Sequence, residues 1–101
     1  MSDHPRRRVL PDPDFFARLD AVLPPDRIAS RPSVGDFIAY ELETIIDRFA
    51  EEWDSLPPAP GGLENARILI GVGRVVSAYA VVGQLRPDGW IWMMSITIEH
   101  Y

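Results

Sequence analysis

The last third of the chain, residues 66–101, has the pattern of an antiparallel β-meander, which constrains the fold more than any other feature. The predicted strands are 67–72, 75–85 and 90–99. The last two are joined by Arg86-Pro87-Asp88-Gly89, a turn in which proline presets φ and glycine supplies the left-handed residue. Between the first two strands, Gly73-Arg74 is predicted to form a tight hairpin, because glycine tolerates positive φ.

Alternation along these strands predicts which side of the sheet is covered. Along the last strand, an unbroken apolar face is formed by Trp90, Trp92, Met94, Ile96 and Ile98. We expect the helices to pack on this face. The middle strand is apolar on both faces, which is typical of a strand that has neighbours on both sides.

Two helices are predicted ahead of the meander. Asp12-Pro13 is a typical helix start, and apolar residues then recur at helical spacing until Pro24-Pro25. A second helix is predicted from Ser33, with Asp36 three residues later in a near capping-box pattern. Its apolar positions follow a three-and-four spacing as far as Leu56.

The predicted fold is therefore α+β, with two N-terminal helices packed on a three- to four-stranded antiparallel β-meander. Residues 12–101 are predicted to form a single domain. Residues 1–11 are predicted to be a flexible arm that contains the basic run Arg6-Arg7-Arg8. Within this arm, Val9-Leu10 is the only pair that can add a short edge strand.

The charge distribution limits the classes of ligand. The net charge is −5, and all ten basic residues are arginine. The polar face of the second helix has one basic residue, Arg48. Its acidic residues are Asp36, Glu41, Glu43, Asp47, Glu51, Glu52 and Asp54. This face is either solvated surface or a docking strip for a basic partner. Because affinity for phosphate backbones needs a cationic surface, we do not expect nucleic acid as a direct ligand.

The sequence predicts neither a metal site nor a cofactor. Cysteine is absent, and the two histidines, His4 and His100, do not have the spacing of metal ligands. The lack of cysteine fits a reducing compartment. We found no long apolar stretch and no apolar segment after the basic start, so the prediction is a cytoplasmic protein without membrane association.

A small group of strand-end residues remains as candidate chemistry. Arg67, Arg74, His100 and Tyr101 are the candidate catalytic residues, because arginine binds phosphate bidentately and histidine titrates near neutrality. The alternative is that strand-end arginines keep the edges of the sheet soluble.

The order of two helices and a three-stranded meander resembles the RelE/ParE-type toxins of bacterial toxin–antitoxin systems. In that family an R-x-x-x-G-x-x-R strand pair leads to a central strand, and the last strand ends near a His or Arg followed by an aromatic residue. The positions that match are Arg67, Gly71, Arg74, Tyr79, His100 and Tyr101. The resemblance implies an opening strand and an antitoxin that covers exposed hydrophobic surface. It also implies RNA cleavage in ribosome-dependent members and no catalytic set in the gyrase-directed branch.

Three functions stay open. The first is a RelE/ParE-like protein of a toxin–antitoxin system, with or without catalysis, which acts through protein–protein binding. The second is a non-enzymatic interaction module or a homo-oligomer formed through the sheet, because three tryptophans supply more apolar surface than two short helices cover. In either case Trp90, Trp92 and Tyr101 are the candidate partner-binding residues. The third is a small enzyme, for which no catalytic constellation is visible.

Overall fold

The computed structural model describes residues 6–26, 28 and 31–100 of the chain. Its helical elements are α1 (Pro13–Val22), α2 (Val34–Phe37), a π-helical turn (Ile38–Leu42), α3 (Glu43–Glu52) and a 3₁₀ turn (Trp53–Ser55). Its strands are β1 (Val9–Pro11), β2 (Ala66–Val72), β3 (Ala78–Leu85) and β4 (Ile91–Glu99). The elements from α2 to the 3₁₀ turn follow one another directly and form one long helical segment. The predicted α+β class is confirmed.

The sheet has the strand order β1-β4-β3-β2 and is mixed. β2, β3 and β4 pair antiparallel, whereas β1 pairs with β4 in the parallel sense. The prediction of a purely antiparallel sheet behind two N-terminal helices was therefore wrong in two respects. Val9–Pro11 forms a strand ahead of the helices, and this strand pairs in parallel with β4. Two hydrogen bonds flank the pairing: the N–H of Ile91 donates to the carbonyl of Arg8 at 2.8 Å, and the N–H of Asp12 donates to the carbonyl of Met93 at 2.9 Å. β3 has neighbours on both sides, as its two apolar faces predicted.

A β-bulge in β4 decides which of its side chains face the helices. Met94 is the extra residue, and it lies opposite the step between Val82 and Gly83 of β3. The helix-facing side chains are Ile91, Met93, Ile96 and Ile98. The predicted helix-facing set was therefore wrong for Trp92 and Met94, which both contact Arg86 on the other face. An extra residue breaks the two-residue alternation, so one pattern cannot hold along the whole strand.

The two long helical segments begin at the caps that the sequence predicts. The side chain of Asp12 accepts a hydrogen bond from the N–H of Asp14 at 3.0 Å at the start of α1. Ser33 and Asp36 form a complete capping box, in which each side chain accepts from the other residue's N–H. Such caps satisfy donors that the first helical turn leaves unpaired.

One hydrophobic core lies between the helices and one face of the sheet. Its largest fully buried side chains are Phe15, Phe37, Phe49, Leu19, Ile45, Leu69, Ile91, Met93, Val76 and Val81. Both helical segments and all three meander strands contribute to this set. The helices therefore cover one face of the sheet, and the opposite face, called here the outer face, is left without a covering layer among the described residues.

Candidate functional site

An apolar groove lies on the outer face, near the ends of β2 and β4. Its volume is about 250 Å³, and it is lined by Ile70, Ala78, Tyr79, Ala80, Thr97 and Glu99. Ala80 pairs with Ile70 on one side and with Thr97 on the other. Because small alanines occupy the central strand between these larger neighbours, the groove has room for an apolar side chain of another molecule.

The edge of β2 beside this groove is open over its last residues. Segment 57–59 hydrogen-bonds to residues 66–68 and closes the first half of the edge. Farther along, the guanidinium of Arg48 donates to the carbonyl of Ile70 at 3.2 Å. No other described residue pairs there with the edge of β2 that points away from β3. Ile70 is 65% exposed and Val72 is 84% exposed. Exposed β-branched residues at an open edge favour pairing with another chain.

The candidate partner-binding residues Trp90 and Trp92 lie at the other end of the sheet from this groove. The guanidinium of Arg8 lies 5.3 Å from the ring centroid of Trp90, and that of Arg86 lies 4.7 Å from the ring centroid of Trp92. Each indole therefore already has a cation of the same chain on one of its faces. Tyr101, the third candidate, lies outside the described residues.

Arg67, one candidate catalytic residue, is engaged in structural contacts. Its guanidinium donates to the carbonyl oxygens of Trp53 at 2.6 Å and Leu56 at 3.4 Å, and it lies 5.4 Å from the ring centroid of Trp53. These carbonyls belong to the end of the long helical segment, so Arg67 caps that end. The same side chain lines a cavity of about 690 Å³ beneath the 56–65 loop.

Arg74 and His100 lie at the opposite end of the sheet from Arg67. Arg74 follows β2 and His100 follows β4, and both residues are exposed. Their side chains share no hydrogen bond or ion pair within the described part of the chain. Ser77 lies between these segments and donates its hydroxyl to the carbonyls of Glu99 and His100 at 3.1 and 3.3 Å. The structure therefore brings Arg74 and His100 to one end of the sheet and leaves Arg67 at the other.

Glu41 is buried, although the helical pattern places it among the solvent-facing acids. It is 3% exposed and lies in the π-helical turn. Its carboxylate accepts hydrogen bonds from the N–H of Arg74 at 2.9 and 2.8 Å and from that of Val75 at 3.3 Å. The predicted tight hairpin at Gly73-Arg74 was wrong, because residues 73–77 instead curve around this carboxylate.

One signal in the sequence could have located Glu41. It lies four residues after Phe37 and four before Ile45, and Phe49 continues the same spacing. All of these side chains are buried. A strict spacing of four drifts around an ordinary α-helix, and the wider π turn reduces that drift.

Arg6 and Arg7 lie against the acidic residues of α3 and of the 3₁₀ turn that follows it. Arg6 forms ion pairs with Asp47 and, at 2.8 Å, with Glu51, while Arg7 pairs with Asp54 at 3.3 Å. The hydrogen bond that the Arg6 guanidinium donates to the carboxylate of Asp47 raises the pKa of Arg6 above its ordinary value. The acidic strip is therefore partly neutralised by the chain itself, which leaves less of it for a basic partner.

Two kinds of site are absent from residues 6–26, 28 and 31–100. No three or more His, Asp or Glu side chains there are grouped so that they could hold a metal ion. In the same residues, no helix has the length and apolar character needed to cross a membrane.

Comparisons of the chain with protein-family models, with curated proteins and with solved structures found no match. The geometry of the chain's own residues is therefore the basis for assigning a function.

Proposed function

We propose that this protein acts by binding a second protein, whose extended segment adds to the open end of β2. The observation that carries this proposal is the exposure of Ile70 and Val72 beside the groove floored by Ala78 and Ala80. A strand added at an edge gains main-chain hydrogen bonds, and pockets for its alternate side chains give specificity. Here the open end of β2 would supply the main-chain hydrogen bonds, and the groove would supply the side-chain pocket.

The order of the elements supports placing this binding protein among the RelE/ParE type. β1 is the opening strand that the resemblance implies, and the two helical segments and the meander follow it. We propose that the partner is antitoxin-like and that the protein works in the cytoplasm through protein binding rather than catalysis. The separation of Arg67 from Arg74 and His100 supports the non-catalytic form, and the lack of cysteine supports a reducing compartment.

A segment of another protein fits this site better than a second copy of the chain. Segment 57–59 already closes one half of the edge, so two β2 strands can pair only over residues 70–72. A second copy's β2 is also held in its own sheet and cannot bend into the groove. A free extended segment pairs over the same short edge and then crosses on to the outer face.

Co-expression with any small open reading frame adjacent to the gene of this chain tests the proposal. We expect the two proteins to co-purify and the partner to relieve any growth arrest caused by the chain alone. Val72→Asp and Ile70→Asp place a charge at the open edge, and we expect each to weaken binding by roughly tenfold or more. Val22→Asp is the matched control, because Val22 is an exposed apolar residue of α1, away from the groove.

Failure of co-purification and the lack of any growth effect would contradict the proposal, as would equal binding by Val72→Asp and Val22→Asp. Light scattering of the chain alone tests the alternative of self-association. A dimer that Val72→Asp converts to a monomer would assign this surface to a second copy instead.

A further inference from the structure

A second surface lies between residues 6–8 and the turn that joins β3 to β4. A pocket of about 340 Å³ is lined there by Arg6, Arg7, Arg8, Asp88, Gly89 and Trp90. We infer that this pocket binds the oxyanion group of a small ligand, a carboxylate or a phosphate. None of its residues belongs to the groove or to the open edge of β2, so this inference is independent of the proposed partner site.

The carboxylates of α3 and of the 3₁₀ turn that follows it hold two of the arginines in place and leave some of their N–H donors unused. Arg6 donates from Nη1 to Glu51 and from Nη2 to Asp47, whereas Arg7 donates only from Nη2, to Asp54. The Nε donor of Arg6 and the Nε and Nη1 donors of Arg7 have no hydrogen-bond partner in the described part of the chain. Arginines fixed by ion pairs lose less conformational entropy when they bind an anion.

Among the three arginines, Arg8 has the most N–H donors available for a ligand. Its guanidinium pairs with no carboxylate among the described residues, and its described contact is the ring of Trp90, with the centroid at 5.3 Å. Stacking on an indole fixes the plane of a guanidinium and leaves its in-plane N–H groups available. Two such groups match the oxygens of a carboxylate or a phosphate in a bidentate arrangement.

Negative charge near the pocket limits the affinity. Asp88 is the acid in the lining, and its two oxygens accept hydrogen bonds from the N–H of Trp90 at 2.8 Å and from Nε1 of Trp92 at 3.4 Å. Its charge and the carboxylates that pair with Arg6 and Arg7 oppose an anion, whereas the arginines attract it at shorter range. We therefore expect millimolar affinity that weakens as salt rises.

Titration of the folded protein with inorganic phosphate and, separately, with acetate tests this inference. Ionic strength is held constant with chloride, and tryptophan fluorescence and the thermal midpoint are followed. We expect a saturable response, which Arg8→Gln weakens by roughly tenfold. The matched control is Arg18→Gln, an exposed arginine of α1, which should leave the response unchanged. A response to both anions would show that the site accepts carboxylates as well as phosphates. A response to phosphate alone would show that it is specific for a phosphate group.

The inference is overturned if neither anion gives a saturable response, or if Arg8→Gln responds like Arg18→Gln. Should Arg8→Gln disturb the fold, Arg8→Lys keeps the charge and removes the bidentate fork. We expect that variant to unfold cooperatively and still to bind the anion more weakly than the unmodified chain does. Unchanged affinity in Arg8→Lys would count against recognition by the Arg8 guanidinium.

Discussion

The carboxylate of Glu41 accepts hydrogen bonds from the N–H of Arg74 at 2.9 and 2.8 Å, across 33 positions of sequence. This contact joins the π-helical turn to the connection between β2 and β3. Gly73 lies beside it, and a Cβ atom there would be 2.1 Å from Oε2 of Glu41. The β2–β3 connection is therefore shaped around the buried carboxylate of Glu41. Glycine is required at position 73 because the backbone there approaches this carboxylate closely, rather than because of a tight turn.

We expect Glu41→Ala to destabilise the fold strongly, because it leaves the partly buried N–H groups of Arg74 and Val75 without their acceptor. Hydrogen bonds to charged groups contribute about 1.5–3 kcal/mol, so we expect a loss of about 3 kcal/mol in the free energy of unfolding. Glu41→Gln should lose somewhat less, since one oxygen remains as an acceptor. Urea unfolding measures the loss. Glu43→Ala, at an exposed position of the same segment, is the control, and a similar effect of the two alanine variants would contradict this role of Glu41.

Gly71 permits the ring of Tyr79 to lie across β2, and a larger residue there should cost stability. A Cβ atom at Gly71 would be 2.6 Å from Cζ and from the hydroxyl oxygen of Tyr79. Overpacking of this kind costs about 1–3 kcal/mol, which we expect for Gly71→Ala by thermal or urea unfolding. The control is Gly35→Ala, where the nearest atom lies at an ordinary 3.6 Å.

The clash with Tyr79 can be separated from other effects of Gly71→Ala by a double-mutant cycle. In a Tyr79→Leu background the ring is gone, so adding Gly71→Ala should cost much less than it does in the unmodified chain. Equal costs in the two backgrounds would show that the loss arises from something other than the ring.

The sequence predicts well those features that depend on neighbouring residues. The caps at Asp12 and Ser33 and the turn at 86–89 follow from local hydrogen bonding and backbone preference, and the structure contains the strands and helices that they delimit. The sequence pattern placed Glu41 on the solvent side because its hydrogen-bond donors, the N–H groups of Arg74 and Val75 on the β2–β3 connection, are distant in sequence. The open edge at Ile70 and Val72 depends on which strands become neighbours, and a single chain's pattern does not determine that.

The ion pair between Arg86 and Asp12 connects the β3–β4 turn to the start of α1, with Arg86 Nη2 3.2 Å from Asp12 Oδ2. Asp12 also caps α1, and two substitutions separate its roles. Asn caps a helix about as well as Asp, so Asp12→Asn removes mainly the ion pair, and we expect a loss of about 0.5–1 kcal/mol. Asp12→Ala removes the cap as well and should lose about 1 kcal/mol more by urea unfolding. Equal losses in the two variants would show that the cap contributes nothing measurable.

The bulge at Met94 leads to a prediction about chain length rather than side-chain chemistry. Met93 pairs with Gly83 and Ser95 pairs with Val82, so removal of Met94 leaves a regular ladder in which Ile96 and Ile98 still face the helices. We therefore expect the Met94 deletion to remain folded. It should lose no more than about 2 kcal/mol, mainly through the contact of Met94 with Arg86.

Deletion of Ala80 is the contrasting case, because β3 is regular at that point and has no extra residue to give up. Shortening β3 there either shifts Tyr79 to the outer face or breaks its pairing with Ile98. Either change is costly because Tyr79 is a buried core residue. We expect this deletion to abolish cooperative unfolding, as followed by near-ultraviolet circular dichroism and urea titration. If the Met94 deletion unfolded as completely as the Ala80 deletion, the bulge would have to be required for the fold, which the register of the two strands argues against.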